Sequence, residues 1–88
     1  LVRYSIGAVG ASGLGSIEVG EKDTVVSLPE RTHRFLTRYV TGVELGDKMA
    51  LGKIKVHLTY YDLLGTREEL ELVMNENDSK ALKKALGK

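Results

Sequence analysis

The chain has 88 residues, 42% hydrophobic and 28% charged, with 13 Lys and Arg against 12 Asp and Glu and no cysteine. A domain this small buries only about 60–65% of its unfolded surface, so nearly every apolar position is needed in one core and a large cofactor cavity is excluded. The missing cysteines remove disulfides, thiolate metal sites and cysteine nucleophiles but leave the compartment open, and a net charge of +1 supplies no overall field toward nucleic acid or anionic membrane.

No run approaches the ~18 apolar residues of a membrane-spanning helix. The chain opens at Leu1 and a strand pattern begins at once, with Val2, Tyr4 and Ile6 alternating with Arg3 and Ser5. That abrupt start leads us to expect a piece of a longer protein, with the Val2–Ala8 strand left as an open edge for a homodimer. Gly7, Gly10, Gly13 and Gly15 then mark a hairpin tip. Ile17 and Val19 alternate with Ser16 and Glu18, residues 20–23 form a polar turn, and Thr24–Leu28 reads as a third strand.

Residues 27–42 admit two readings. As a helix, Ser27 and Glu30 form a capping box, Pro29 lies in the first turn and Gly42 ends the element. As a strand, Phe35, Tyr39 and Val43 share a face and Thr32, Thr37, Val40 and Thr41 supply β-branched residues. The strand is favoured.

The clearest signal is the pair Lys53–Tyr61 and Arg67–Met74, joined by residues 62–66. Setting Leu58 opposite Leu70 and Val56 opposite Leu72 puts Ile54, Val56, Leu58, Tyr60, Leu70, Leu72 and Met74 on one face. The same register sets Thr59 against Glu69 and His57 against Glu71. Residues 77–88 read as a short amphipathic helix capped by Asn77 or Asp78, with Ala81, Leu82, Ala85 and Leu86 as its apolar stripe and Gly87 as its stop. The domain proper is then expected over 1–76.

The stretch Gly10-Ala11-Ser12-Gly13-Leu14-Gly15 has the glycines of a dinucleotide-binding loop in reversed order, and a strand rather than a helix follows it. His33 and His57 lie in different segments, so a metal site would require both to converge with an acidic residue. Ser5, Ser12, Ser16, Ser27 and Ser79 include no nucleophile elbow, and Glu69 and Glu71 read as a solvated strand face. We therefore expect no catalytic residues, cofactor or metal. The one basic cluster is Arg31, Arg34 and Arg38, interleaved with Phe35 and Tyr39. These five residues are the candidate interaction site, and as an Arg/aromatic platform they would suit single-stranded nucleic acid.

The order of a tyrosine-bearing strand, a Gly-rich tip, Gly15-Ser16-Ile17-Glu18-Val19-Gly20, a β-branched strand ending at Leu28-Pro29 and a Thr-containing strand is similar to the water-stress and hypersensitive-response domain of the late-embryogenesis-abundant family, archaeal versions included. The later run from His57 to Leu72 resembles the terminal hairpin of immunoglobulin-like and fibronectin type III-like surface domains. Both resemblances imply a β-sandwich without catalytic residues. The family's opening strands with their Asn-Pro element are absent here, which implies a fragment or a sheet completed by a partner.

The expectation is thus a small antiparallel immunoglobulin- or fibronectin-like β-sandwich of six or so strands with a short C-terminal helix, the alternative being an α+β domain in ββαββα order. Its expected role is a non-enzymatic binding or structural module of a larger anchored, surface or stress-related protein, partnered by another protein or by itself. A single-stranded nucleic-acid binder is the alternative.

Overall fold

Alternating apolar residues do build a mainly β domain, seen here in a computed structural model that describes residues 2–7, 15–29 and 31–88. Its elements are β1 (Val2–Gly7), β2 (Gly15–Val19), β3 (Asp23–Ser27), β4 (Thr32–Leu36), β5 (Val40–Lys48), β6 (Lys53–Tyr61), β7 (Arg67–Asn75) and α1 (Glu76–Ala85). Short 3-10 turns at Thr37–Tyr39 and Ala50–Gly52 lead into β5 and β6. Most of the glycine-rich tip lies outside the described residues, as does Glu30.

The strands pair antiparallel in the order β4-β3-β2-β1-β7-β6-β5. Apart from one junction, every neighbour in the sheet is a neighbour in sequence. At that junction β1 meets β7 through only Ile6↔Met74 and Gly7↔Val73, so a β1–β4 meander and a β5–β7 meander share a short seam. The sheet is coiled across this seam. Phe35 in β4 stacks on Tyr60 in β6, with ring centroids 3.9 Å apart, although four strands separate β4 from β6 within the sheet. The inner faces of the two meanders therefore meet and share one core. It contains Ile17, Val26, Phe35, Val40, Val43, Val56, Leu58, Leu72 and Met74, with Leu82 added from α1 and Leu86 from the residue after it.

β1 lies between β2 and β7, so it is not the terminal strand of the sheet that was expected of the Val2–Ala8 segment, although only its Ile6 and Gly7 pair with β7 and Ala8 lies outside the described residues. The terminal strands, each with one free edge, are β4 and β5.

Within residues 27–42 the favoured strand reading holds over Thr32–Leu36 and from Val40 onward, with the 3-10 turn Thr37–Tyr39 between them. Ser27 ends β3 instead of capping a helix, and Leu28 and Arg31 exchange backbone hydrogen bonds of 2.9 and 3.2 Å to close the β3–β4 turn. The 3-10 turn after β4 is tied to the β2–β3 turn. Thr37 donates its hydroxyl to the Gly20 carbonyl at 2.8 Å, which leaves Thr24 to donate to Thr37 at 2.9 Å. Thr24 is fully buried, and this bond removes the penalty of an unpaired hydroxyl there.

The β6–β7 register is the expected one, with Leu58↔Leu70, Val56↔Leu72, Thr59↔Glu69 and His57↔Glu71. The imidazole, however, chooses the diagonal neighbour. His57 Nε2 lies 2.7 Å from Glu69 Oε1, and Arg67 approaches the other oxygen of that carboxylate at 3.4 Å. The His57 hydrogen bond, then Arg67, lowers the Glu69 pKa.

The helix starts earlier than expected. Asn75 is the cap, its side chain accepting from the Asn77 N–H at 3.0 Å, because β7 runs directly into α1 without a linker. Its buried side chains are Ser79 and Leu82, joined by Leu86 just past its end, whereas Ala81 and Ala85 are exposed. The helix is thus rotated from the predicted stripe, and the Ser79 hydroxyl satisfies itself on the Glu76 carbonyl at 2.6 Å. Gly87, at φ 71°, terminates it as expected.

Candidate functional site

In an antiparallel ladder, residues that exchange hydrogen bonds with the neighbouring strand alternate with residues whose N–H and C=O point the other way. The paired Leu28 and Arg31 set the phase between β3 and β4. Two steps on, Val26↔His33 and Thr24↔Phe35 are register partners of the same bonded kind, and Thr37 N–H continues the series by donating to Lys22 O at 2.7 Å. The backbone groups of Thr32, Arg34 and Leu36 therefore face outward. No other described strand pairs with them.

A cleft of about 340 Å³ runs along this edge. It is lined on one side by Arg31, Thr32, His33 and Arg34 and on the other by Tyr60, Asp62, Glu68, Glu69 and Leu70. Side chains from both faces of β4 contribute, since His33 shares the inner face with Phe35 while Thr32 and Arg34 belong to the outer one. Only an opening along the strand's edge can be lined in that way. A second hollow, lined by Glu21, Lys22, Leu36 and Arg38, lies at the far end of β4.

The inner wall of the cleft is built on the core. Tyr60 is buried, with its ring on Phe35 and its hydroxyl 3.3 Å from His33 Nδ1. Burial, reinforced by Arg31 and opposed by Glu68, lowers the His33 pKa. A neutral imidazole whose Nδ1 carries no hydrogen accepts a hydrogen bond from the Tyr60 hydroxyl. Burial and then Glu68 raise the Tyr60 pKa, which keeps that phenol protonated as donor. Glu68 lies opposite Tyr60 in the ladder, so its carboxylate sits at the rim of the inner face. Asp62 is occupied within its own turn, where Oδ1 accepts from the N–H groups of Leu64 and Thr66, each at 2.8 Å.

The five sequence-level candidates are divided by the strand. Arg34 and Arg31 are exposed at the cleft, and Arg34 reaches Asp23 at 3.9 Å. Arg38 lies in the 3-10 turn with its guanidinium 5.5 Å from the centre of the Tyr39 ring. Phe35 is only 1% exposed and belongs to the core. That is a correction: the alternation of β4 sends Phe35 inward when Arg34 points outward, so the aromatic part of a stacking platform is absent at this residue. His33 and His57 do not converge, His33 meeting Tyr60 and His57 meeting Glu69. Among the described residues no group of three His, Asp or Glu side chains is placed to hold a metal ion. None of the described helices is long and apolar enough to cross a membrane.

Sequence reasoning missed His33, Tyr60, Glu68 and Asp62 as a set. The hairpin register already put Tyr60 opposite Glu68, but nothing in the sequence brings either to β4, because that approach depends on the coiling of the whole sheet.

No family model matches the chain, nor does any curated protein or solved structure. The site's geometry is therefore the basis for its function.

Proposed function

We propose that this chain is a non-enzymatic protein-binding module that takes up an extended peptide segment as an additional strand on β4. The observation that carries this reading is the outward row of Thr32, Arg34 and Leu36 beside a cleft lined by both faces of the same strand. Strand addition needs both parts: backbone groups supply affinity, and openings for alternate side chains supply selectivity. The other free edge, β5, is a poorer template because its register shifts twice, between Val40 and Gly42 and between Leu45 and Lys48. The polar groups of the cleft also support binding rather than turnover. His33 and Tyr60 engage each other and Asp62 holds its turn, so these groups serve to shape the wall.

A second copy of the chain is a poor occupant. Two-fold pairing of β4 centred on its outward row sets Arg34 against Arg34, and like charges directly opposite one another are destabilising. The reading is therefore a heterologous partner.

Proline at residue 34 tests it. Proline removes an N–H that faces away from β3 and is tolerated at such edge positions. Octapeptides selected from a displayed random library on the native chain should lose binding to Arg34→Pro and to Thr32→Pro, with both variants retaining cooperative unfolding. Equal binding to either folded variant, or a selection that returns no binder, contradicts strand addition.

A further inference from the structure

The cations along β4 define the partner's chemistry. Arg31, Arg34 and Arg38 are exposed and accompanied by Lys22 at the far hollow. Among the described residues that line the two hollows or meet Arg34, the anions are Glu21, Asp23, Asp62, Glu68 and Glu69. Two of them are already engaged, Glu69 by His57 and Arg67 and Asp62 by its turn. Asp23 meets Arg34 only at 3.9 Å, with the Arg34 side chain mostly exposed and that of Asp23 about half exposed. Such a pair contributes little and is easily exchanged for a better one. Glu68 differs, because it stands on the inner side with Tyr60.

The ladder sorts these charges by position. Residues of an added strand directly opposite Thr32, Arg34 and Leu36 would project from the outer face, beside Arg34. Residues between them would project inward, toward His33, Tyr60 and Glu68. A carboxylate at an outward position meets Arg34 and is kept away from Glu68. An uncharged side chain suits the inward positions. Resting on the strand-addition reading above, we infer that the segment recognised at β4 is an acidic, extended peptide with carboxylates at alternate positions and uncharged residues between them. A basic strand would set its outward charges against Arg34. A nucleic acid has no backbone donors and acceptors spaced to match Thr32, Arg34 and Leu36, and Phe35 offers it no ring.

Three fluorescein-labelled probes decide this: an octapeptide alternating valine and glutamate, one alternating valine and lysine, and an oligothymidylate of equal length. Anisotropy at low salt should show the acidic peptide binding at least about tenfold more tightly than the basic one. Amide exchange should slow at residues 32, 34 and 36 in that complex. Arg34→Glu should remove the preference, and Arg34→Gln should weaken it if the reversed charge beside Asp23 disturbs folding. Equal binding of both peptides, with those amides protected, overturns the acidic preference and leaves strand addition standing. Acidic-peptide binding without protection there, or oligothymidylate binding as tightly, shows a general polyanion surface and overturns the inference. If neither peptide binds, both the inference and the reading beneath it fail.

Discussion

The ring of Phe35 lies on that of Tyr60 at 3.9 Å with the planes inclined by 19°, and this contact joins the two meanders on the side away from the β1–β7 seam. Phe35 is fully enclosed, so removing its ring leaves a cavity that the fixed strands cannot close. Phe35→Ala should lower the unfolding free energy by about 3–5 kcal/mol, measured by denaturant titration. A change near zero would place Phe35 on the surface and restore it to the arginine cluster.

The hairpin of β6 and β7 was legible in the sequence because strict alternation leaves only one parity that buries Val56, Leu58, Leu72 and Met74 together. β5 was not legible as a strand of its own. Its buried residues Val40 and Val43 are three apart because the register shifts between Val40 and Gly42, and a period-2 pattern cannot reveal an inserted residue. The helix cap was displaced for a related reason: β7 continues to Asn75, so the cap is also the end of a strand. Of the candidate site, the arginines were visible as charge. The opposing wall was not, since His33 and Tyr60 are 27 residues apart and meet only when the sheet coils.

Gly15 opens β2 under the chain of β3. A Cβ there would lie 2.5 Å from the Ser27 carbonyl oxygen and 3.0 Å from Leu28 Cδ2. The first contact is with backbone, which cannot rotate away. Gly15→Ala should therefore destabilise the domain by about 1–3 kcal/mol, read as a lower midpoint in urea. An unchanged midpoint would mean that β2 and β3 are farther apart than described.

Leu51 has φ 62° and is 93% exposed. A leucine in the left-handed region is strained by roughly 1–2 kcal/mol, and asparagine visits that region more readily. With no packing to lose, Leu51→Asn should raise stability by about 0.5–1 kcal/mol. A loss of stability would show that this side chain is covered in solution.

The His33 pKa is lowered by burial first and by Arg31 second. Its folded value lies below its unfolded one, near 6.5, so the unfolded chain binds the proton more tightly. The contribution to stability is present above about pH 6.5 and is lost as pH falls through the folded value. Unfolding midpoints measured from pH 7.5 to 5 should decline in this window, and His33→Gln should flatten that decline. A His33 variant with the same pH profile as the parent would dissociate the imidazole from the cleft's stability.

The proposed role depends on one property of the free chain, the open outer edge of β4. Residue-resolved amide exchange measures it directly. His33 and Phe35 donate to β3 and should exchange slowly, whereas Thr32, Arg34 and Leu36 should exchange at rates close to those of exposed loop amides. An alternating pattern of this phase is the predicted result. Uniform protection from residue 32 to residue 36 would show that the edge is already paired, and would contradict the binding mode derived from it.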